Sequence, residues 1–329
     1  FIILMFKKKN TIKQFIWLYT ISLIIVVIYT ITRHISYGLG EDEGHWVMDP
    51  FYNDHTAYGA ILAMYIPLMF GFSLDKTYSR PIRIISFFVL VFFIFALILS
   101  YSRAAWLSTA ITVGVLFLVL LRIKFRWVLA VGVTIVVLFF TFQHQILDRL
   151  ERNEQDSSSN FAEHVRSITN ISSDASNLER INRWQSALRM FNERPFWGWG
   201  PGTYQFLYAP FQRSKERTII STNAGDMGNA HSEYIGPLSE TGIPGSLLIL
   251  SIFGYSVYLG LRVYKRCRQR ELKILSLSVT LGLITYYMHG FLNNFLDTDK
   301  ASVPVWGFIA ILVALDIYHC KSVNNRIEE

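Results

Sequence analysis

Long apolar blocks separated by short polar connections dominate this chain, with none of the surface-and-core rhythm of a water-soluble domain. The blocks fall at about 14–33, 56–74, 82–100, 103–121, 126–143, 243–263, 274–295 and 303–319. Each is long enough to cross a bilayer, which takes roughly 17–25 residues per helix. The pattern predicts an all-α integral membrane protein, a polytopic bundle of about eight transmembrane helices. One connection breaks the rhythm: residues 144–242 form a single long polar loop. A loop of that length is far above ordinary connections and is usually functional. The expected organisation is residues 1–143 as N-terminal spans with a first outer loop at 34–55, 144–242 as the large loop, and 243–329 as C-terminal spans and tail.

Composition agrees with the pattern: the 329 residues are 52% hydrophobic and only 17% charged, against about a quarter charged in a soluble domain. The net charge of +7 would suit nucleic acid if it were spread over a surface, but it is not. Lys7, Lys8, Lys9 and Lys13, then Lys76, Arg80 and Arg83, then Arg122, Lys124 and Arg126, then Arg262 to Lys273, and finally Lys321 all fall on one side if the spans simply alternate. By the positive-inside rule that side is cytoplasmic, so the charge is a topology signal and no nucleic-acid partner is expected. The two cysteines, Cys267 and Cys320, lack metal-ligand spacing and fall on the reducing side, so free thiols are expected. Phe1–Phe6 reads as the cut end of an earlier membrane helix, because an apolar stretch before lysines reverses the order of a signal peptide.

Within the long loop, residues 148–169 are polar and low in apolar content. Order is expected from Ser176-Asn177-Leu178-Glu179, a capping-box signature. The helix that follows places Ile181, Trp184, Leu188 and Phe191 on one face and ends before Pro195. Such a helix would lie on the membrane surface or at the mouth of the bundle. Arg180 sits on the shoulder of that face beside Trp184. Arg183, Arg189 and Arg194 read as solvated, since nothing about their neighbours in sequence is unusual. A glycine-dense turn, Phe196-Trp197-Gly198-Trp199-Gly200-Pro201-Gly202, comes next.

Three residues stand out for chemistry. Arg103 opens an apolar span, where an arginine costs about 2.5–3.5 kcal/mol at the helix centre and less near the interface. It either snorkels to headgroups or binds an anion, for which its fork of donors is suited. Arg180 is either a solvated helix residue or a second anion ligand. His231 lies where the polar loop meets the sixth span, as a structural interface residue or as a base, since an imidazole titrates at about 6.5. Asp297-Thr298-Asp299 has the spacing of a carboxylate pair that Asp54-His55 would complete as a metal site, but short outer loops often carry such charges for solvation. Gly282, Gly290 and Asn293 read as helix-packing residues of the seventh span.

The spacing His231-Ser232, nine residues, Gly242, two residues, Gly245 resembles the signature of the bacterial O-antigen ligase and polymerase superfamily. Arg103 with Leu107 resembles that family's Arg-x-x-x-Leu element at the outer start of a helix. Arg180 with Trp184, followed by Pro195 and the Gly198, Gly200 and Gly202 turn, resembles the element of its large periplasmic loop. Asp49-Pro50-Phe51 through Ala57 and Pro67 is similar to its Phe-x-Asn-Pro-Asn region but lacks the Asn-Pro-Asn. The resemblance covers about residues 45–310.

It implies a membrane glycosyltransferase of GT-C-like architecture in the bacterial inner membrane, with its active site facing the periplasm. The donor would be a glycan on undecaprenyl pyrophosphate and the acceptor a hydroxyl, lipid A-core in a ligase. The mechanism it implies is inverting and metal-independent, with no cofactor. In that mechanism Arg103 and Arg180 hold the pyrophosphate and neutralise the charge that grows on it, and His231 orients or deprotonates the acceptor. Gly242 and Gly245 would break the helix so that Pro244 falls in the first turn of the next span. A polymerase extending lipid-linked repeats and a protein O-oligosaccharyltransferase share these motifs. A lipid-linked glycan transporter is the rival of another class, but transporters carry internal repeats and midplane charges, and this sequence shows neither.

Overall fold

The computed structural model describes residues 2–124, 126–127, 134, 175–218, 221 and 228–320. The described residues are helical or irregular, with no strand among them. They divide into two units, one of residues 1–112 with 247–329 and the other of residues 113–246. Six helices among the described residues are long and apolar enough to cross a membrane. They are α1 (Lys9–Ser36), α2 (His55–Leu74), α3 (Arg80–Leu99), α4 (Arg103–Leu120), α6 (Ile235–Arg266) and α8 (Asp299–Ala314), which continues through a π turn to His319. α5 (Ala175–Glu193) belongs to the second unit, and α7 (Arg270–His289) to the first. The protein is therefore a polytopic helical membrane protein, as the hydropathy pattern predicted. The fifth expected span, 126–143, lies outside the described residues except at three positions, as do residues 148–169.

The first unit is built around α2. Its N-terminus is capped by Asp54, whose carboxylate accepts the Ala57 N–H at 2.8 Å, a pairing that satisfies one of the helix's orphan donors. Fourteen of its twenty residues are buried, on every face, which marks a central helix. It packs on α3 and α7. Small residues let the backbones close on one another: a Cβ on Gly71 would overlap the Ser278 hydroxyl, and one on Gly282 would lie 2.7 Å from the Met64 carbonyl. Hydroxyl pairs add polar contacts inside the bundle, Thr285 to Thr112 at 2.9 Å and Ser256 with Tyr287 at 2.8 Å. At one end of the unit, Lys13 pairs with Glu271 at 2.6 Å and Arg266 with Asp316 at 3.1 Å.

Three expectations need correction here. The seventh span was read as 274–295, but α7 stops at His289 and Gly290 caps it. Asn293 therefore lies past the helix, where its amide meets His289 Nε2 at 3.1 Å. Cys267 and Cys320 are not free thiols: they form a disulfide with their Cα atoms 5.1 Å apart. The ends of α6 and α8 converge although 53 residues separate the two cysteines, and local spacing carries no trace of that.

The third correction concerns α5, where Arg183 was expected to be solvated. The apolar stripe stays at the surface, with Ile181 36% exposed and Leu188 37%, but the opposite face is not a solvated one. The face that packs inside the second unit is Glu179, Asn182, Arg183, Ser186, Ala187 and Met190. Ala187 and Met190 join Tyr204, Tyr208 and Ala230 in a small core, flanked by Trp199, Leu207, Phe211 and Ile235. The helix buries a polar face because partners for those polar groups arrive from residues 204–230.

Candidate functional site

The motif residues lie in two places, and each unit has its own. In the first unit, Arg103 opens α4 directly after the turn Ser100-Tyr101-Ser102. Tyr101 adopts φ 48, the left-handed region that a non-glycine residue enters only when its surroundings enforce it. Its hydroxyl donates to the Leu39 carbonyl at 3.1 Å, and its ring lies edge-on to His34. Gly44 has no room for a Cβ, which would sit 2.6 Å from the Tyr101 ring. On the other side, His55 Nδ1 meets the Ser100 carbonyl at 2.9 Å, and the His55 and His45 rings are 4.2 Å apart. Gly59 of α2 admits the turn closely, since a Cβ there would lie 2.9 Å from Ser102. Arg103 itself is half-buried and Leu107 is 43% exposed. Burial, followed by the charges of Glu41 and Glu43, raises the Tyr101 phenol above its usual range.

In the second unit, the glycine-dense turn and the Gly242 break belong to one construction. α6 departs from helical geometry at Gly242, with φ 64 and ψ −160. The Ile243 N–H donates to the Pro195 carbonyl at 2.9 Å, and the Trp199 and Gly200 N–H groups donate to the Ser239 and Glu240 carbonyls at 3.0 and 2.8 Å. A Cβ on Gly242 would overlap the Phe196 carbonyl, and one on Gly198 would overlap the Glu240 carbonyl. Gly198, Gly200 and Gly202 all have positive φ. The two glycine motifs are thus the two halves of one backbone-to-backbone contact, which the sequence reading had treated as separate elements. Gly245 faces Thr241, whose hydroxyl donates to the Pro237 carbonyl at 2.8 Å. Trp199 seals the contact, its indole donating to the Met190 carbonyl at 2.9 Å with the Arg194 guanidinium 3.9 Å over its ring.

His231 stands immediately before this α6 segment, half-buried, with φ 49. Its N–H donates to Asn229 Oδ1 at 3.0 Å, and its carbonyl accepts from the Trp184 indole at 3.4 Å. Ser232 is buried and caps the helix: its hydroxyl accepts the Tyr234 and Ile235 N–H groups at 3.3 and 3.4 Å. Arg180 lies one turn before Trp184 on α5, half-buried, with Nη1 donating to Asn177 at 3.0 Å. Residues four apart share a helix face, so Arg180 flanks the tryptophan that holds His231. The structure brings Arg180, Trp184, His231 and Ser232 into one neighbourhood and places Arg103 in the other unit.

Residues read as bland prove to be the structured ones. Arg183 is 4% exposed, not solvated: its Nε donates to Glu179 at 2.6 Å and its guanidinium lies 4.1 Å over the Tyr208 ring. The Glu179 carboxylate also accepts from Asn182 at 3.3 Å, from Thr218 at 3.0 Å and from Ser221. Glu179 thus turns into a polar cluster instead of serving a capping box. Burial by itself would raise its carboxyl, but the bonds from Ser221, Arg183 and Asn182 and the Arg183 charge outweigh that and hold it below the usual range. Arg189 likewise is engaged, with Glu216 at 2.6 Å and the Phe211 carbonyl at 2.6 Å. The one sequence signal was the i,i+4 spacing of Glu179 and Arg183, which says nothing of burial.

Asp54 is spent as a helix cap, and among the described residues no three His, Cys, Asp or Glu side chains gather as metal ligands. Burial raises the Asp297 carboxyl. Compared with known families, residues 88–250 match the family model described as O-antigen ligase. Among the curated proteins, none matches the chain.

Proposed function

The chain belongs to the O-antigen ligase superfamily, a family of membrane glycosyltransferase-like enzymes, and from that membership we propose that it moves a glycan from undecaprenyl pyrophosphate onto an acceptor hydroxyl, that of lipid A-core, at the periplasmic face. The observation that carries this reading is the way His231 is held. A histidine at φ 49, with its backbone N–H and carbonyl both engaged, has its backbone fixed by neighbours. Such fixing is what a base that must meet a hydroxyl proton requires, and what an interface spectator does not.

In the proposed reaction the acceptor oxygen attacks the anomeric carbon as the bond to the pyrophosphate oxygen breaks. His231 takes or orients the acceptor proton. Arg180, beside Trp184, and Arg103 stabilise the charge that accumulates on the leaving pyrophosphate, the task for which guanidinium groups are suited. Direct displacement inverts the anomeric configuration, and the two arginines supply the charge that a metal would otherwise bring.

The experiment is a deletion strain complemented with wild-type or His231→Ala protein and read by its lipopolysaccharide profile. Loss of all glycan from lipid A-core in the deletion, restored by wild type but not by His231→Ala, is the expected result. Complementation by His231→Ala to near wild-type level would sink the base assignment. A single repeat unit left on the core would show a polymerase instead of a ligase.

A further inference from the structure

We propose that Arg183, held by Glu179, is a positioning residue that sets the place of His231 by bearing on Gly228, three residues before the histidine. This rests on the proposed role of His231. Three points of attachment run from adjacent positions of α5 to the four residues 228–231. A Cβ on Gly228 would overlap the Arg183 guanidinium, so the chain there lies against that group, and a side chain would require the guanidinium to shift. Ala230 is 2% exposed in the core with Ala187 and Met190 of α5. The Trp184 indole donates to the His231 carbonyl at 3.4 Å. Between these points, Asn229 folds back to accept the His231 N–H at 3.0 Å.

The guanidinium is itself held from two directions: Glu179 holds Nε at 2.6 Å, and Tyr208 underlies the group at 4.1 Å. Glu179 is in turn bound by Thr218 and Ser221, which tie the chain ahead of Gly228 to the same hub. A planar group clamped in this way is a rigid bearing surface, whereas a solvated arginine would not resist the loop. Holding a left-handed histidine costs free energy that the surroundings must supply, and here the supply comes from α5 and from Asn229. Arg180 and Trp184 project from the same two turns, so the helix that carries the proposed pyrophosphate ligand also sets the histidine. Displacing a catalytic group by about 1 Å costs on the order of a hundredfold in rate.

The test uses the full chain in native membranes, titrated with an undecaprenyl-pyrophosphate-linked glycan, with transfer rates measured for Gly228→Ala, Asn229→Ala, Arg183→Leu and Arg183→Lys. Gly228→Ala and Arg183→Leu should lower the maximal rate on the order of a hundredfold while leaving the half-saturating donor concentration unchanged, because neither residue is a proposed pyrophosphate ligand. Asn229→Ala, which leaves the Glu179–Arg183 hub intact, should lower the maximal rate about tenfold, and it decides the matter if Arg183→Leu does not accumulate in the membrane. Arg183→Lys, which keeps the charge opposite Glu179, should recover part of the loss. Wild-type maximal rates in Gly228→Ala and Asn229→Ala, with His231→Ala inactive, would overturn the positioning role and leave the proposed function standing. An active His231→Ala would overturn the function itself. A rise in half-saturating donor with unchanged maximal rate would also overturn the inference, since it would place Arg183 in donor binding.

Discussion

Tyr101 at φ 48, before α4, and His231 at φ 49, before α6, are both non-glycine residues in left-handed backbone ahead of a long helix. Their backbones are nearly the same, but what supports them differs. At Tyr101 the strained residue is itself the wedge, with its ring on Gly44 and His34 and its hydroxyl on Leu39. The charged residue, Arg103, comes two positions later. At His231 the strained residue is the one proposed to carry the chemistry, and the support comes from others: Asn229, Trp184 and the Arg183 that lies against Gly228. The first turn braces a helix start with its own side chain, and the second has its backbone held by others. Strain alone therefore does not single out a candidate base; what differs is whether the strained residue provides the fixing or receives it.

The comparison breaks most sharply at Arg103. If its turn serves to present a cation to the donor, Arg103→Glu should raise the half-saturating concentration of lipid-linked glycan about tenfold or more, the equivalent of about 1.4 kcal/mol, or abolish turnover. An unchanged donor profile would reduce the first turn to a structural corner. A smaller effect is expected from acid. The Glu179 carboxyl is held below the usual range in the folded protein, so its stabilisation is fully present above the unfolded value of about 4.3 and fades as pH falls through the lower folded value. The thermal midpoint of the wild type should fall as pH drops from neutral through that window. Glu179→Gln should start lower and fall less, and equal slopes would mean that the hub draws nothing from the ionised carboxylate. The smallest effect is reserved for Tyr101→Phe, which loses one hydrogen bond and about 1 kcal/mol. The thermal midpoint should register that loss while transfer at saturating donor stays unchanged; a large rate defect would mean that the Tyr101 hydroxyl has chemistry of its own.

Legibility in the sequence followed the range of the forces involved. The helices of the bundle were visible because crossing a bilayer demands an unbroken apolar run, and six of the expected spans appear within a few residues of where hydropathy put them. The break at Gly242 was visible because glycine is the residue that tolerates a positive φ. The end of α7 was misplaced because the apolar residues Phe291, Leu292 and Phe295 continue the pattern beyond the helix that His289 and Gly290 terminate.

What the sequence determined by itself was the class of the molecule, most of its spans, and the spacing of His231, Gly242 and Gly245 that resembles a family signature. Only the tertiary structure decided that Gly198 and Gly242 close on each other's segments. It also decided that Cys267 meets Cys320, and that α5 buries Glu179, Asn182 and Arg183 in place of Ile181 and Leu188. The physical reason is common to all three. Periodicity and propensity report what a segment prefers by itself, whereas the burial of a charge or the close approach of two backbones depends on partners that arrive from dozens of residues away. His231 illustrates both sides: its motif is readable along the chain, but the approach of Arg183 to Gly228 is decided only by the fold.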